Sequence, residues 1–487
     1  MLRLIALFVV IAGWTSVLTA ADAARKPNVV YFIIDELGYY ENSASGHPVH
    51  RTPNIDRLTA DGVRFTQCLA GGPVCAPTRC SLLTGKHAGH MTVRANNGFT
   101  PLREGEETLG SMFKRAGYAT GGFGKWGNGG RGTSGVPEKH GFDTFFGYYD
   151  QVHAHCFFPR YLVRNSGEVP LAGNTGDTKI GETFSQYVIF DEAVKFIREN
   201  KEKPFFAYLC WTPPHGQWGL PKSDPSWPLY QNADWKLGEK MLDDARIYAA
   251  MVNLVDRQVG EVRKLLTELG LENDTIVVFS GDNGANRYFS NENYPEGVFS
   301  PNVDPKTGVK FRGFKGQLYE GGLRVPYAVT WPSRITGGRS TDHLCYFPDV
   351  LPTLAELTGV APTGDTDGLS FAPTLLGGGA KQAEHEYLYW EHQNDTAVRM
   401  GNWKAIRAGG PKKGWELYDL AKDVSETNDL ADAHSDVLEK MKAFATAAHV
   451  PVVDGEVYDR ALVEKDRNYR GLPGGTPPAG GKKKKAG

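Results

Sequence analysis

Four short, almost wholly apolar runs recur in the first 280 residues, and each breaks off into polar side chains. They are Asn28–Ile34, Tyr118–Phe123, Phe205–Leu209 and Thr275–Phe279. Runs this short, without polar alternation, read as strands buried on both faces rather than as helices. Gly121 and Gly122 weaken the second run. Helical segments separate them. Thr52–Asp61 has Thr52 as N-cap, Pro53 at the first helical position and Gly62 beyond its end. Thr183–Asn200 is amphipathic, and Asp243–Leu269 is stopped by Gly270. Tyr327–Trp331 adds a strand, and the segment from Pro352 to Leu357 adds a helix. This alternation predicts an α/β domain over residues 24–376, with a mostly parallel central sheet sandwiched by helices.

Beyond Gly377-Gly378-Gly379 the pattern changes. Tyr387–Trp390, Trp403–Arg407 and Trp415–Tyr418 read as short strands and Ser435–Ala448 as a helix, predicting a small α+β domain with an antiparallel sheet over 377–470. Residues 471–487 form a low-complexity tail ending in the basic block Lys482–Lys485, which reads as a solvated end. At the other terminus Arg3, the apolar stretch from Leu4 to Trp14 and Ala21-Asp22-Ala23 have the layout of a signal peptide over 1–23, which implies export to the periplasm or beyond the cell. That stretch is shorter than the roughly 20 residues a membrane span needs. The formal net charge of −2 gives no electrostatic case for nucleic-acid binding. The 6 cysteines are too few for a disulfide scaffold, and their pairing is not readable.

The polar residues at the end of each apolar run carry the chemistry. Ile34 leads into Asp35-Glu36, Phe123 into Gly124-Lys125-Trp126, Leu209 into Thr212-Pro213-Pro214-His215, and Phe279 into Ser280-Gly281-Asp282-Asn283-Gly284. In an open α/β sheet, ligands bind outside the carboxyl ends of the strands, so these groups should share one rim. Asp35, Glu36, Asp282 and Asn283 are all oxygen donors, which suits calcium better than zinc. Asn283-Gly284 taken alone is a turn signal; its pairing with Asp35-Glu36 points to a metal. The second cluster is Gly72–Arg79. Pro77 can open a helix running through Leu83 to Thr84-Gly85, placing Cys75 at a helix N-terminus, where free N–H groups and the dipole favour anions. An ordinary buried cysteine is the competing reading.

Cys75-Ala76-Pro77-Thr78-Arg79, continuing through Ser81-Leu82-Leu83-Thr84-Gly85-Lys86, closely resembles the signature of the type I, formylglycine-dependent sulfatases, the arylsulfatase-like family. Asp35-Glu36-Leu37-Gly38, Thr52–Asp56, Gly124-Lys125-Trp126, Pro214-His215, Ser280–Gly284, Lys315 with Tyr319–Gly322, and Glu416–Leu420 occur in that family's order. The resemblance implies an alkaline-phosphatase-like fold. It also implies that a formylglycine-generating enzyme converts Cys75 to 3-oxoalanine, and that one Ca2+ ion is held by Asp35, Glu36, Cys75, Asp282 and Asn283. In that scheme a hydroxyl of the hydrated aldehyde attacks sulfur, Arg79 holds the diol, Lys125 and Lys315 bind sulfate oxygens, and His215 protonates the leaving alcohol.

Two positions depart from the family pattern. Glu36 stands where many sulfatases have a second Asp. Gly127 stands where the family often has a His after Lys-Trp; branches with Lys-Trp-Gly carry an Ala-His further on, and Gln151-Val152-His153-Ala154-His155 looks like that segment. His155, with His153 behind it, is expected to supply the missing base or a substrate contact. That branch resembles the carbohydrate sulfatases, so a sulfated polysaccharide or glycosaminoglycan fragment is the expected substrate, with galactose or N-acetylgalactosamine sulfate as the narrower expectation. Phe157, Phe158, Trp211 and Trp218 are candidate sugar-stacking residues. The rival readings are a phosphodiesterase or phosphonate monoester hydrolase of the same superfamily and, on the strength of Glu36 and Gly127, a degenerate sulfatase-like binding module that is not an enzyme.

Overall fold

The computed structural model describes residues 26–235, 237–289 and 302–468; the expected signal peptide over 1–23 and the tail from 471 lie outside them. Strands occur in three sheets. In chain order β1 is Asn28–Ile34, β2 Val63–Phe65, β3 Cys68–Leu69, β4 Ala119–Lys125, β5 Thr144–Tyr148, β6 Tyr161–Arg164, β7 Gly167–Pro170 and β8 Phe205–Trp211. Then come β9 Thr275–Gly281, β10 Tyr327–Thr330, β11 Arg339–Thr341, β12 Cys345–Tyr346, β13 Leu388–His392, β14 Asp395–Met400, β15 Trp403–Arg407 and β16 Glu416–Asp419.

The large sheet has 10 strands in the order β11-β2-β10-β9-β1-β8-β4-β5-β6-β7. Its centre, β9-β1-β8-β4-β5, is parallel throughout, while β10 and β6 run antiparallel on either side of it. Because side chains alternate along a strand, β1 feeds two cores. Val29, Tyr31 and Ile33 pack with the helices Cys75–Thr84, Leu109–Arg115 and Val350–Thr358; Val30, Phe32 and Ile34 pack with Pro53–Asp61, Ser185–Glu199 and Glu239–Glu268. Ile34 stands in register with both Trp211 and Gly281, so β1, β8 and β9 end level and release their succeeding residues at one edge.

The glycines in β4 do not weaken it. A Cβ at Gly121 would lie 2.9 Å from the Phe196 ring, and one at Gly122 would lie 2.5 Å from the Phe145 ring. Each gap is filled by an aromatic from a neighbouring element. The helix Pro53–Asp61 begins and ends where the sequence predicts, yet Thr52 does not cap it. Asp256, from the long helix Glu239–Glu268, accepts the Asn54 and Ile55 N–H groups at 2.9 and 2.8 Å, while the Thr52 hydroxyl is bound to Ser43 and Asp56. A cap supplied from 202 positions away leaves no local sequence signal. β5, β6, β7 and β14 and the helix Leu109–Arg115 also escape the sequence reading, being short and locally ambiguous.

The small sheet is antiparallel in the order β13-β14-β15-β16, and the helix Ser435–Ala448 covers it with Leu438, Met441 and Ala445. β3 and β12 form a two-stranded pair. All 6 cysteines are buried, and none forms a disulfide among the described residues. No helix among the described residues is long and apolar enough to cross a membrane.

Candidate active site

Cys75 is the first residue of the helix Cys75–Thr84, preceded by Val74 in extended backbone. Pro77 therefore occupies the third helical position rather than the first, where its missing N–H costs nothing because the first-turn donors have no intrahelical acceptor. Gly85 closes the helix in the left-handed region (φ 68°) with its N–H on Ser81 O.

The level strand ends bring the sequence candidates around that cysteine. The Cys75 thiol donates to Asp35 Oδ1 at 3.1 Å, and Lys125 Nζ donates to Asp35 Oδ2 at 2.5 Å. Lys315 Nζ lies 3.3 Å from Cys75 Sγ, 3.1 Å from His215 Nε2 and in contact with Glu36 Oε1. Arg79 donates to Asp282 Oδ2 through Nη2 (3.0 Å) and Nε (3.3 Å), and to the Lys125 carbonyl through Nη1 (2.8 Å). The guanidinium thus fastens the end of β4 to the end of β9.

Glu36 lies in the left-handed region, φ 61°, which costs a non-glycine residue energy and is a feature of functional sites. Its N–H donates to Asp282 Oδ1 at 2.9 Å. Its carboxylate turns toward His215 Nε2 (2.9 Å), Lys315, Asn286 Nδ2 (3.4 Å) and the Tyr288 hydroxyl. His215 Nδ1 faces the Gly216 carbonyl, which can only accept, so that nitrogen carries the proton. Neutral His215 then receives the Lys315 ammonium at Nε2, and protonated His215 donates there to Glu36. The His155 ring stacks on His215 at 4.1 Å and 12°, and its Nε2 has no partner among the described residues. His153 is elsewhere, its ring against Tyr161 and Tyr148.

The electrostatics separate the two central carboxylates. Burial pushes Asp35 up, but Lys125, His215, Arg79 and Lys315 outweigh it and hold Asp35 well below the usual carboxylate range. Burial and then the Asp35 charge push Asp282 up to about 7. Burial lowers Lys315 to about 8 and His215 to about 4, and raises the Cys75 thiol well above its ordinary value. Two buried carboxylates side by side favour a cation between them. Asn283 adjoins, with a buried Oδ1 that has no partner among the described residues. Asp35, Cys75 and His215 also present ligating atoms within 4.8 Å of one another. This oxygen-rich set fits a hard divalent ion.

A sulfatase family profile matches residues 27–360, and the C-terminal profile of N-sulphoglucosamine sulphohydrolase matches residues 312–447. The chain belongs to the sulfatase family. This sulfatase is 30% identical over 414 residues to N-acetylgalactosamine-6-sulfatase of Canis lupus familiaris, covering 80% of this chain and 73% of that one. A sulfatase structure from work on glycosaminoglycan metabolism by Bacteroides thetaiotaomicron superposes with a TM-score of 0.72 at 25% identity, covering 87% of this chain and 99% of that one. The phosphonate monoester hydrolase of Agrobacterium radiobacter shares the fold, with a TM-score of 0.63 at 20% identity, covering 87% and 96%. The sulfatase is accordingly a sulfuric ester hydrolase of alkaline-phosphatase-like fold, in a family that generally uses formylglycine and a divalent metal.

Three of the four aromatics expected to stack on sugar do not line the site. Phe157, Phe158 and Trp211 are buried in the core beneath the sheet, because they face the helices Ser185–Glu199 and Glu239–Glu268. Trp218 packs against Tyr248, Tyr288 and Phe289. The sequence reading missed Tyr288, which reaches Glu36 from a loop without apolar periodicity.

Proposed function

We propose that this sulfatase is exported and removes sulfate from a sulfated carbohydrate, with galactose or N-acetylgalactosamine sulfate the favoured unit. Cys75 is its formylglycine precursor, matured by a formylglycine-generating enzyme. The observation that carries the reading is the Cys75 side chain at a helix N-terminus, in contact with both Asp35 and Lys315. Asp35, Asp282, Asn283, Glu36 and the modified residue 75 would hold calcium, and a bound ion would supply Lewis-acid activation of the hydrated aldehyde for attack on sulfur.

The chain's own residues do the rest. Lys125 and Lys315 offer ammonium groups to the sulfate oxygens, where charge grows during ester cleavage. Arg79, immobilised by Asp282 and the Lys125 carbonyl, holds residue 75 in place. His215 is neutral in the free site; the arriving sulfate ester, a monoanion, raises its proton affinity, and it then passes the proton to the leaving alcohol. His155, stacked on His215, offers its Nε2 to the substrate or to a proton in the same step.

Mass spectrometry of the peptide from Phe65 to Arg79, from protein made with its maturation machinery, should find an aldehyde at position 75. The matured enzyme should cleave a sugar sulfate monoester in preference to a phosphate diester or a phosphonate monoester, and should lose turnover to a chelator and regain it with calcium. An unmodified thiol in active protein overturns the mechanism, and preference for the phosphorus esters overturns the substrate class.

A further inference from the structure

One group at this rim has no role in the sulfate chemistry assigned to Cys75 and its neighbours. Gln151 is 3% exposed, and neither Nε2 nor Oε1 of its carboxamide has a partner among the described residues. A buried carboxamide with both ends unmet is costly, and natural proteins rarely keep one without a use.

Its place is informative. β4 and β5 run parallel, with Lys125 opposite Tyr148, and the pairing continues beyond both strands: Trp126 N–H donates to Tyr148 O at 2.9 Å and Gly127 N–H to Tyr149 O at 3.2 Å. The chain then folds back, and Gln151 covers Gly127. A Cβ on Gly127, which sits at φ 82°, would lie 2.1 Å from Gln151 Nε2. Positions 127 and 151 therefore compete for one space, which a side chain at 127 would enter. The same turn ends in His155 on His215. Asp150 anchors it, taking Val152 N–H at 2.7 Å on Oδ1 and Arg467 Nη1 at 2.9 Å on Oδ2.

We infer that Gln151 is a substrate-contacting residue of this sulfatase, its side-chain N–H donating to an oxygen of the ester sulfate from the room a side chain at 127 would fill. This rests on reading the Cys75 site as a sulfate site. A carboxamide does not titrate in the working range, so the donor is present at every pH and serves binding rather than proton transfer. Position 127 must stay glycine as long as Gln151 stands beside it.

The test uses Gln151→Met, which keeps volume and removes the polar ends, and Gln151→Glu, which keeps shape and adds a like charge. Thermal unfolding, steady-state turnover of a sugar sulfate ester and calorimetric binding of inorganic sulfate are measured on matured, calcium-loaded enzyme. Since the carboxamide has no partner among the described residues, Gln151→Met should match or exceed the parent Tm. Its kcat/KM and sulfate affinity should fall about ten- to a hundredfold, the weight of one hydrogen bond to a charged group. Gln151→Glu should fall further. A parent that cleaves the ester while both variants stay within about threefold of it overturns the inference alone. So does a Gln151→Met enzyme that loses Tm and keeps its sulfate affinity, since that outcome marks a structural residue. A parent that neither cleaves the ester nor binds sulfate overturns the inference and the proposed function together.

Discussion

Replacing Lys404 by methionine should destabilise the protein by about 3 kcal/mol, although Lys404 lies in the small sheet. Its ammonium is fully buried in β15, 2.9 Å from Glu320 Oε1 and 2.9 Å from Glu426 Oε1. Glu320 stands just past Lys315, and its N–H donates to Glu426 Oε2 at 2.8 Å, so this cluster ties the small sheet to the segment that carries Lys315. The two carboxylates would respond differently. Glu320 keeps Arg324, at 2.6 and 2.9 Å, and Arg399, at 3.8 Å. Against the upward push of burial, Lys404 and these arginines hold it well below its usual range. Glu426 is pushed up to about 7, first by burial and then by the Glu320 charge, with Lys404 opposing.

Removing one partner of a buried ion pair costs about 3–5 kcal/mol. Glu320 stays covered and Glu426 can take a proton near neutrality, which places the loss at the low end of that range. This also sets the sign with pH. A carboxyl whose folded pKa lies above its unfolded value contributes stability that is full below the unfolded value and is lost as pH rises through the folded one. Lys404→Met should therefore be hurt more at pH 8 than at pH 6. Adding Glu426→Gln should return part of the loss and flatten the pH dependence. Urea unfolding monitored by circular dichroism at both pH values measures this. A loss under about 1 kcal/mol, or one equal at the two pH values, would refute the reasoning.

Two further outcomes are expected. Burial raises Glu41 to about 8, although the Tyr248 hydroxyl and Gly38 N–H both bind its carboxyl, so the protein should lose thermal stability as pH rises from about 5 through about 8. Glu41→Gln should reduce that slope, leaving the share carried by Asp282 and Glu426, and an unchanged Tm-versus-pH curve in the variant would count against a protonated Glu41. Lys315→Met should lower kcat/KM for a sulfate ester by about 10²–10³, the usual effect of deleting one preorganised donor to a developing anion; a loss under about tenfold would remove Lys315 from the machinery.

Much of this molecule was legible in its sequence because the information is local. The apolar runs ending at Ile34 and Phe279 declare buried strands by composition, and the residues after them fall at a rim because parallel strands in register end together. Cys75 through Arg79 are contiguous, so one helix N-terminus states the site. Ser435–Ala448 is a helix by period and is found as one. What only the tertiary structure decided depends on atoms far apart in the chain. Asp256 caps a helix that Thr52 alone could have capped, and Gly121 and Gly122 belong in β4 because Phe196 and Phe145 fill the space beside them. Glu36 turns to His215, Lys315 and Tyr288, and Gln151 stands over Gly127, through contacts that no local pattern encodes. Periodicity and composition select elements one segment at a time; partner choice among polar side chains is settled only when the segments meet, since burial makes each unmet charge or amide costly and the nearest complementary group answers it.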